Sequence, residues 1–372
     1  MKSVFLGFVV VLVLTVVCGS AHAYGVYAPS VGELVDQCAI VIVGRITHLG
    51  PGVAGERTRF SSHGEEFSHP VPIWVKLATV QALLVVKGDR VKPGTKLVVE
   101  FVEYRFTGRG GGVGLPSYAV GERRLFFLGE TAGRLAPAEP LWDPSLVVPD
   151  NVTLPARLDG SPIEKTERSL ARLIDGSHSD PRALHRILLV LRTGTVHIAE
   201  PVRTSKFVTS ELLQAVVRLL DLHDAQVRRD AASVLCDVGY APALAKLADI
   251  VRSDARAGGN ISGEASPIGR FSNRDGLPEL HRLLFDPEVP TLRSAAARAL
   301  REIGAPSSAP FLVRALADDA SDVRYLAATG LAGITGDHEH FLSMDAFKAN
   351  EAAEIEFWSS WWNANASRFG DK

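Results

Sequence analysis

Two kinds of hydrophobic spacing divide the chain near residue 160. Before that point, apolar residues come in short, β-branched runs broken by turn residues, which is the pattern of strands. The run 39–47 is interrupted at Gly44, and the longer run 74–87 ends at Gly88-Asp89. Residues 96–106 read as a half-buried strand with Leu97, Val99 and Phe101 on one face. The apolar phase then slips by one to Val102, Tyr104 and Phe106, as a β-bulge makes it. Shorter strands are predicted at 125–128 and 145–148, one helix at 31–37, and a turn at Pro93-Gly94. Five or so such strands with one short helix predict a small closed or nearly closed barrel, which removes exposed strand edges.

Beyond residue 160 the spacing becomes helical, and three windows superimpose. They begin at Val227, Leu292 and Val323, and each carries Arg at +1 (Arg228, Arg293, Arg324), Ala at +4 and +5, and Leu at +8. Val238, Ile303 and Ile334 fall at +11, with glycine following at Gly239, Gly304 and Gly336. Positions 0, +4, +8 and +11 form one apolar stripe of a helix, the paired alanines permit close approach of a neighbour, and the glycines suit a helix C-terminus. A partner helix precedes each window, at 211–220, 277–285 and 310–316, so stacked helix pairs are the natural form. The last two windows have a compact helix-pair spacing, while roughly twice that separates the first two. Residues 241–252 still read as helix, but 253–276 is rich in Gly, Ser, Asn and Arg and is expected to be an exposed loop insertion. Two further helices, around 170–174 and 184–191, would start the stack.

Composition adds the compartment. Lys2, an apolar run from Val4 to Val17 and the ending Ala21-His22-Ala23 predict a secretory leader over 1–23, cleaved between Ala23 and Tyr24. The run is shorter than the about 20 residues of a membrane span, so no integral membrane segment is expected after cleavage. A secreted or periplasmic product follows. The remaining residues suffice for two or three domains of about 150 residues each. A formal charge of −2 lacks the electrostatic footprint of nucleic-acid binding. Three cysteines provide neither a disulfide scaffold nor a four-thiolate zinc site. Of these, Cys38 and Cys236 survive cleavage, both in apolar surroundings that suit buried thiols.

The Val/Leu-Arg-x-x-Ala-Ala-x-x-Leu-x-x-Val/Ile motif over 207–336 resembles HEAT repeats, which implies an α-solenoid acting as a scaffold or docking surface. The first half resembles the netrin-like, tissue-inhibitor-of-metalloproteinase type of OB barrel seen in exported bacterial proteins. That resemblance rests on Glu33-Leu34-Val35, Ile40-Val41-Ile42-Val43-Gly44-Arg45-Ile46, Leu84-Val85-Val86-Lys87-Gly88, Pro93-Gly94-Thr95 and Gly121-Glu122-Arg123-Arg124-Leu125-Phe126-Phe127-Leu128. Inhibitors of that type chelate zinc through an N-terminal cysteine. Here the mature chain would begin Tyr24-Gly25-Val26, which departs from the pattern.

The search for chemistry yields few candidates. No Gly-x-Ser-x-Gly elbow, His-Glu-x-x-His helix, Walker loop or Cys-x-x-Cys is present, and nothing calls for a cofactor or a small-molecule ligand. The glycine-rich stretch 107–114 lacks the following helix that a phosphate cradle needs, and His63 and His69 lack a third metal ligand. Asp337-His338-Glu339-His340 is the densest polar cluster; it reads first as a solvated loop, with a metal held by His338 and His340 as the alternative. Phe357, Trp358, Trp361 and Trp362 share one helical face and are expected to cap the last repeat, the alternative being a partner-binding patch. The in-register arginines are expected to pair with Asp224 and Asp322 between repeats.

The sequence thus predicts a two-domain β-plus-α chain. A leader (1–23) precedes an OB-like antiparallel barrel (24–160), a helical lead-in (161–206), a HEAT-type solenoid (207–336) and an aromatic capping helix (337–372). The expected function is that of an exported, non-enzymatic scaffold binding a protein partner. The alternatives are an enzyme with its site at the barrel–solenoid junction and a protease inhibitor acting through the barrel.

Overall fold

The computed structural model describes residues 31–57, 71–104, 118–131, 133–137, 145–191, 207, 209–258 and 262–369. The leader, His63 and His69, the 107–114 stretch and Phe106 lie outside the described residues.

A short helix, α1 (Val31–Gln37), leads into seven strands: β1 (Ile40–Leu49), β2 (Val53–Arg57), β3 (Val71–Lys87), β4 (Lys96–Tyr104), β5 (Arg123–Thr131), β6 (Arg134–Pro137) and β7 (Leu146–Val147). Hydrogen bonding runs β1-β3-β4-β6-β5, and β5 returns to β1, closing a five-stranded OB-type barrel. All pairs are antiparallel except β4–β6, joined in parallel at Val99 and Leu135. The strand that closes the barrel, β6, is only Arg-Leu-Ala-Pro and was not read from the sequence.

Strands β1, β3 and β5 are apolar on both faces because each face meets a different core. Ile42, Ile46, Val80, Val99, Phe101, Phe126 and Leu128 fill the barrel interior. The alternating residues Val41, Val43, Leu84, Val86, Leu125 and Phe127 face outward, into a second core shared with α1 and the helical half. That double burial is why these strands read as continuous apolar runs rather than alternating ones. Gly44 interrupts the first run for a steric reason: a Cβ there would sit 2.5 Å from Val80 Cγ1. Irregularities in β1–β3 pairing flank this crossing, between Val43 and Gly44 and between Ile46 and His48. The bulge expected in β4 is not found. Its register with β3 runs unbroken from Lys96 opposite Gln81 to Tyr104 opposite Ile73, so the apolar phase slip lies within a regular strand.

The helical half is a two-layer stack. The pairs are α2 (Pro162–Gly176) with α3 (Pro181–Leu191), α4 (Ser210–Arg218) with α5 (Ala225–Asp237), and α6 (Ala243–Arg256) with α7 (Ser262–Gly269). Then come α8 (Leu277–Leu283) with α9 (Pro290–Ile303) and α10 (Ala309–Ala315) with α11 (Ser321–Thr335). Each second helix packs on the next, in the order α3, α5, α7, α9, α11. The stripe residues Val227, Ala231, Leu235, Leu292, Ala296, Leu300, Val323, Ala327 and Leu331 are all buried, as the repeat pattern requires. Gly304 and Gly336 end α9 and α11 in the left-handed conformation, φ 59° and 75°, where a side chain would be strained.

The expected loop insertion at 253–276 is corrected by the fold. Helix α6 continues to Arg256, and α7 forms the second helix of this pair, packed on α5 and α9. Its glycines and Pro267 disguise it in the sequence, but Ala265, Ile268 and Phe271 are fully or almost fully buried. The lead-in likewise joins the stack: α2 packs on α4 and α3 on α5. A capping box opens α2, with Ser161 accepting from Glu164 N and the Glu164 carboxylate accepting from Ser161 N at 2.7 Å.

At the far end, α12 (Met344–Ala349) and α13 (Glu351–Asn365) cover α11, with Phe347 and Trp358 buried. Phe357, Trp361, Trp362 and Phe369 pack around them, half-buried. Burying one such aromatic contributes about 1.5–3 kcal/mol, so the aromatic face acts as a cap. One apolar core runs from the outer face of the barrel through every helix pair to Trp358.

Candidate functional site

The recurrent arginines are engaged between repeats. Arg228 Nη1 donates to the carbonyls of Leu222 (3.1 Å) and His223 (2.8 Å), and its Nη2 lies 3.6 Å from Asp254. Arg293 donates to Asp286 O (3.1 Å) and forks onto Asp318 at 2.7 and 3.0 Å. Arg324 donates to the carbonyls of Asp318 (2.6 Å) and Asp319 (2.9 Å), and reaches Glu351 at 2.5 Å. Each guanidinium therefore closes the turn of its own helix pair and pairs with a carboxylate of the following pair or, for Arg324, of the cap. The expected partners Asp224 and Asp322 are replaced because the arginine points along the stack rather than back. Asp224 instead caps α5, accepting from Val227 N at 2.9 Å.

Arg252 of α6 extends the ladder, donating to Asp286 from Nε (2.8 Å) and Nη2 (2.7 Å). Asp286 also accepts from the backbone of Glu288 and Val289 at 3.0 and 2.8 Å. Burial opposes its ionisation, but Arg252 and the two amides outweigh it and hold its pKa below the usual carboxylate value. Arg324 does the same for Glu351, against a smaller desolvation effect.

The acidic–histidine cluster after α11 is split. His340 turns into the cap: its Nδ1 lies 2.9 Å from Glu354 and its ring stacks on Phe357 at 3.7 Å. His338 is exposed. Among the described residues, no group of three His, Cys, Asp or Glu side chains could hold a metal ion. Cys236 is buried within α5; burial and the neighbouring Asp237 push its thiol pKa up, away from thiolate chemistry. Cys38 is likewise buried, beside α1. His185 Nδ1 meets the buried Asp230 at 2.6 Å and ties α3 to α5.

The barrel–solenoid junction, where the alternative reading put an enzymatic site, holds a small cavity among the described residues. The cavity there measures about 10 Å³ between Val43, Leu84, Val148, Val152, Leu154 and Leu173, room for about one water. A larger groove of about 500 Å³ opens between α2 and α4. Two ion pairs span it, Arg218–Asp175 at 2.6 Å and Arg168–Glu211 at 3.3 Å, with Ser210 and Gln214 along one wall. Arg172 stands exposed between them. Sequence reading missed this groove. A signal was present in the i, i+4 pair Arg168/Arg172, like charges that disfavour an isolated helix unless something across the way compensates. The barrel contributes exposed apolar side chains on its other flank, Val53, Leu77 and Val98.

No helix of the described residues is long and apolar enough to cross a membrane. No curated protein matches the chain. Among solved structures, one chain of "the complex of CpcE and CpcF of phycocyanin lyase from Nostoc sp. PCC7120" is similar at 20% identity and a TM-score of 0.31. That alignment covers 46% of this chain and 66% of the other, just under two thirds of its length. At that TM-score the likeness carries no argument about activity. A family model of HEAT repeats matches residues 265–332, the stretch from α7 to α11, so the solenoid read from the sequence is a HEAT-repeat stack there.

Proposed function

We propose that the protein is an exported, non-enzymatic scaffold that docks another protein through its solenoid. The observation that carries this reading is the use made of the repeat motif. Its apolar positions build one core, and its arginines join successive helix pairs, on a stretch that matches HEAT repeats. Such stacks offer long, rigid surfaces suited to protein partners. The closed β1-β3-β4-β6-β5 order supports a netrin-like relation for the barrel, with docking as its role as well. Export rests on the 1–23 leader pattern, and intact-mass analysis of exported protein should give Tyr24 as the first residue.

Because the core is continuous, the docking test uses the full chain rather than its halves. Photoreactive residues placed at Gln214 and Arg298 on the solenoid, and at Leu77 and Val98 on the barrel, are crosslinked in cells. One dominant protein captured from the solenoid positions is the expected result. Turnover of a substrate that depends on a specific side chain, with no specific capture, would refute the scaffold reading.

A further inference from the structure

We infer that the α2–α4 groove binds an acidic segment of a protein partner, with Arg172 pairing to its carboxylate. The inference deepens the scaffold reading and rests on it. The groove is large enough, at about 500 Å³, to hold side chains of an inserted segment. Its polar walls are tied off by two cross-helix pairs, Arg168–Glu211 and Arg218–Asp175. Arg172 has no carboxylate partner among the described residues and stands where those pairs leave a positive gap. A guanidinium presents a planar fork that matches a carboxylate, which favours one well-placed acidic side chain.

Asp175 and Glu211 line the same groove and oppose a second anionic group close to the first, so a single carboxylate at Arg172 fits better than the closely spaced phosphates of a nucleic-acid backbone.

The test measures fluorescence anisotropy on the full chain with a labelled peptide of Glu-Leu-Gly repeats. Its Gln-Leu-Gly counterpart, oligo-dT and succinate are the comparison ligands. The expected result is binding of the acidic peptide alone, weakened roughly tenfold or more by Arg172→Glu. Arg172→Lys should weaken it less, since it keeps charge but loses the fork. Arg282→Glu, away from the groove, should leave binding unchanged, and matching circular dichroism would show that each variant is folded. Equal binding of the glutamine peptide, preference for oligo-dT or succinate, or binding indifferent to Arg172→Glu would overturn the inference. Partner capture from Gln214 and Arg298 that persists in Arg172→Glu would leave the scaffold reading standing while removing this site.

Discussion

Replacing Asp286 probes how the stack is held together. Its side chain is 1% exposed and that of Arg252 is 13% exposed, so the pair is largely withdrawn from water. Removing one partner of a fully buried pair costs about 3–5 kcal/mol. Arg252 retains some solvent, which lowers the electrostatic share to roughly 1–2 kcal/mol. Asp286 also caps the turn into α9 through two backbone amides, a loss of about 1 kcal/mol when the acceptor goes. Asp286→Ala should therefore destabilise the protein by about 2–3 kcal/mol at pH 7. Asp286→Asn keeps an acceptor oxygen and should lose only the electrostatic share.

The pH dependence has a definite sign. The folded pKa of Asp286 is depressed, so its stabilisation is present above the unfolded value near 3.8 and disappears as pH falls through the folded value. Urea unfolding of wild type, both variants and Arg252→Met completes a double-mutant cycle. A cost below about 0.5 kcal/mol for Asp286→Ala, or additive effects of the two sites, would refute the reasoning.

Other perturbations separate the remaining parts of the fold. Trp358→Ala should cost about 3–5 kcal/mol in thermal unfolding, and Trp361→Ala less, because Trp361 is half-buried. Gly44→Ala should destabilise the barrel by about 1–3 kcal/mol through the clash with Val80, read by urea titration. His281 is stacked on Phe311, and burial lowers its pKa below 6.5. Melting temperature should therefore fall as pH drops below about 6.5, and His281→Phe should flatten that fall between pH 7.5 and 5.5.

Much of the architecture was legible because it is written in local periodicity. Helix α1 was read at its observed bounds, and the three repeat windows fell on α5, α9 and α11, since a buried stripe must recur every turn. The continuous apolar runs of β1, β3 and β5 already carried the information that both faces are covered. What escaped depends on contacts distant in sequence. Strand β6 is four residues long and gains its place only by pairing with β4 and β5. Helix α7 packs on α5 and α9 with Ala265 and Ile268 buried, against the local preference of its glycines and proline. The arginines were read correctly as inter-repeat residues, but their partners lie in the following helix pair or in the cap. The α2–α4 groove belongs to two helices separated by residues 177–209, with α3 between them, and no single window contains it.

A single core from barrel to cap makes the chain one folded body, the premise of the proposed scaffold, and native-state hydrogen exchange tests this most directly. Amides of β1 and β5, whose outer faces supply Val41, Val43, Leu125 and Phe127, should lose protection together with those of α2 as urea rises. Barrel amides that stay protected after α2 has opened would show two independent bodies and contradict the continuous core.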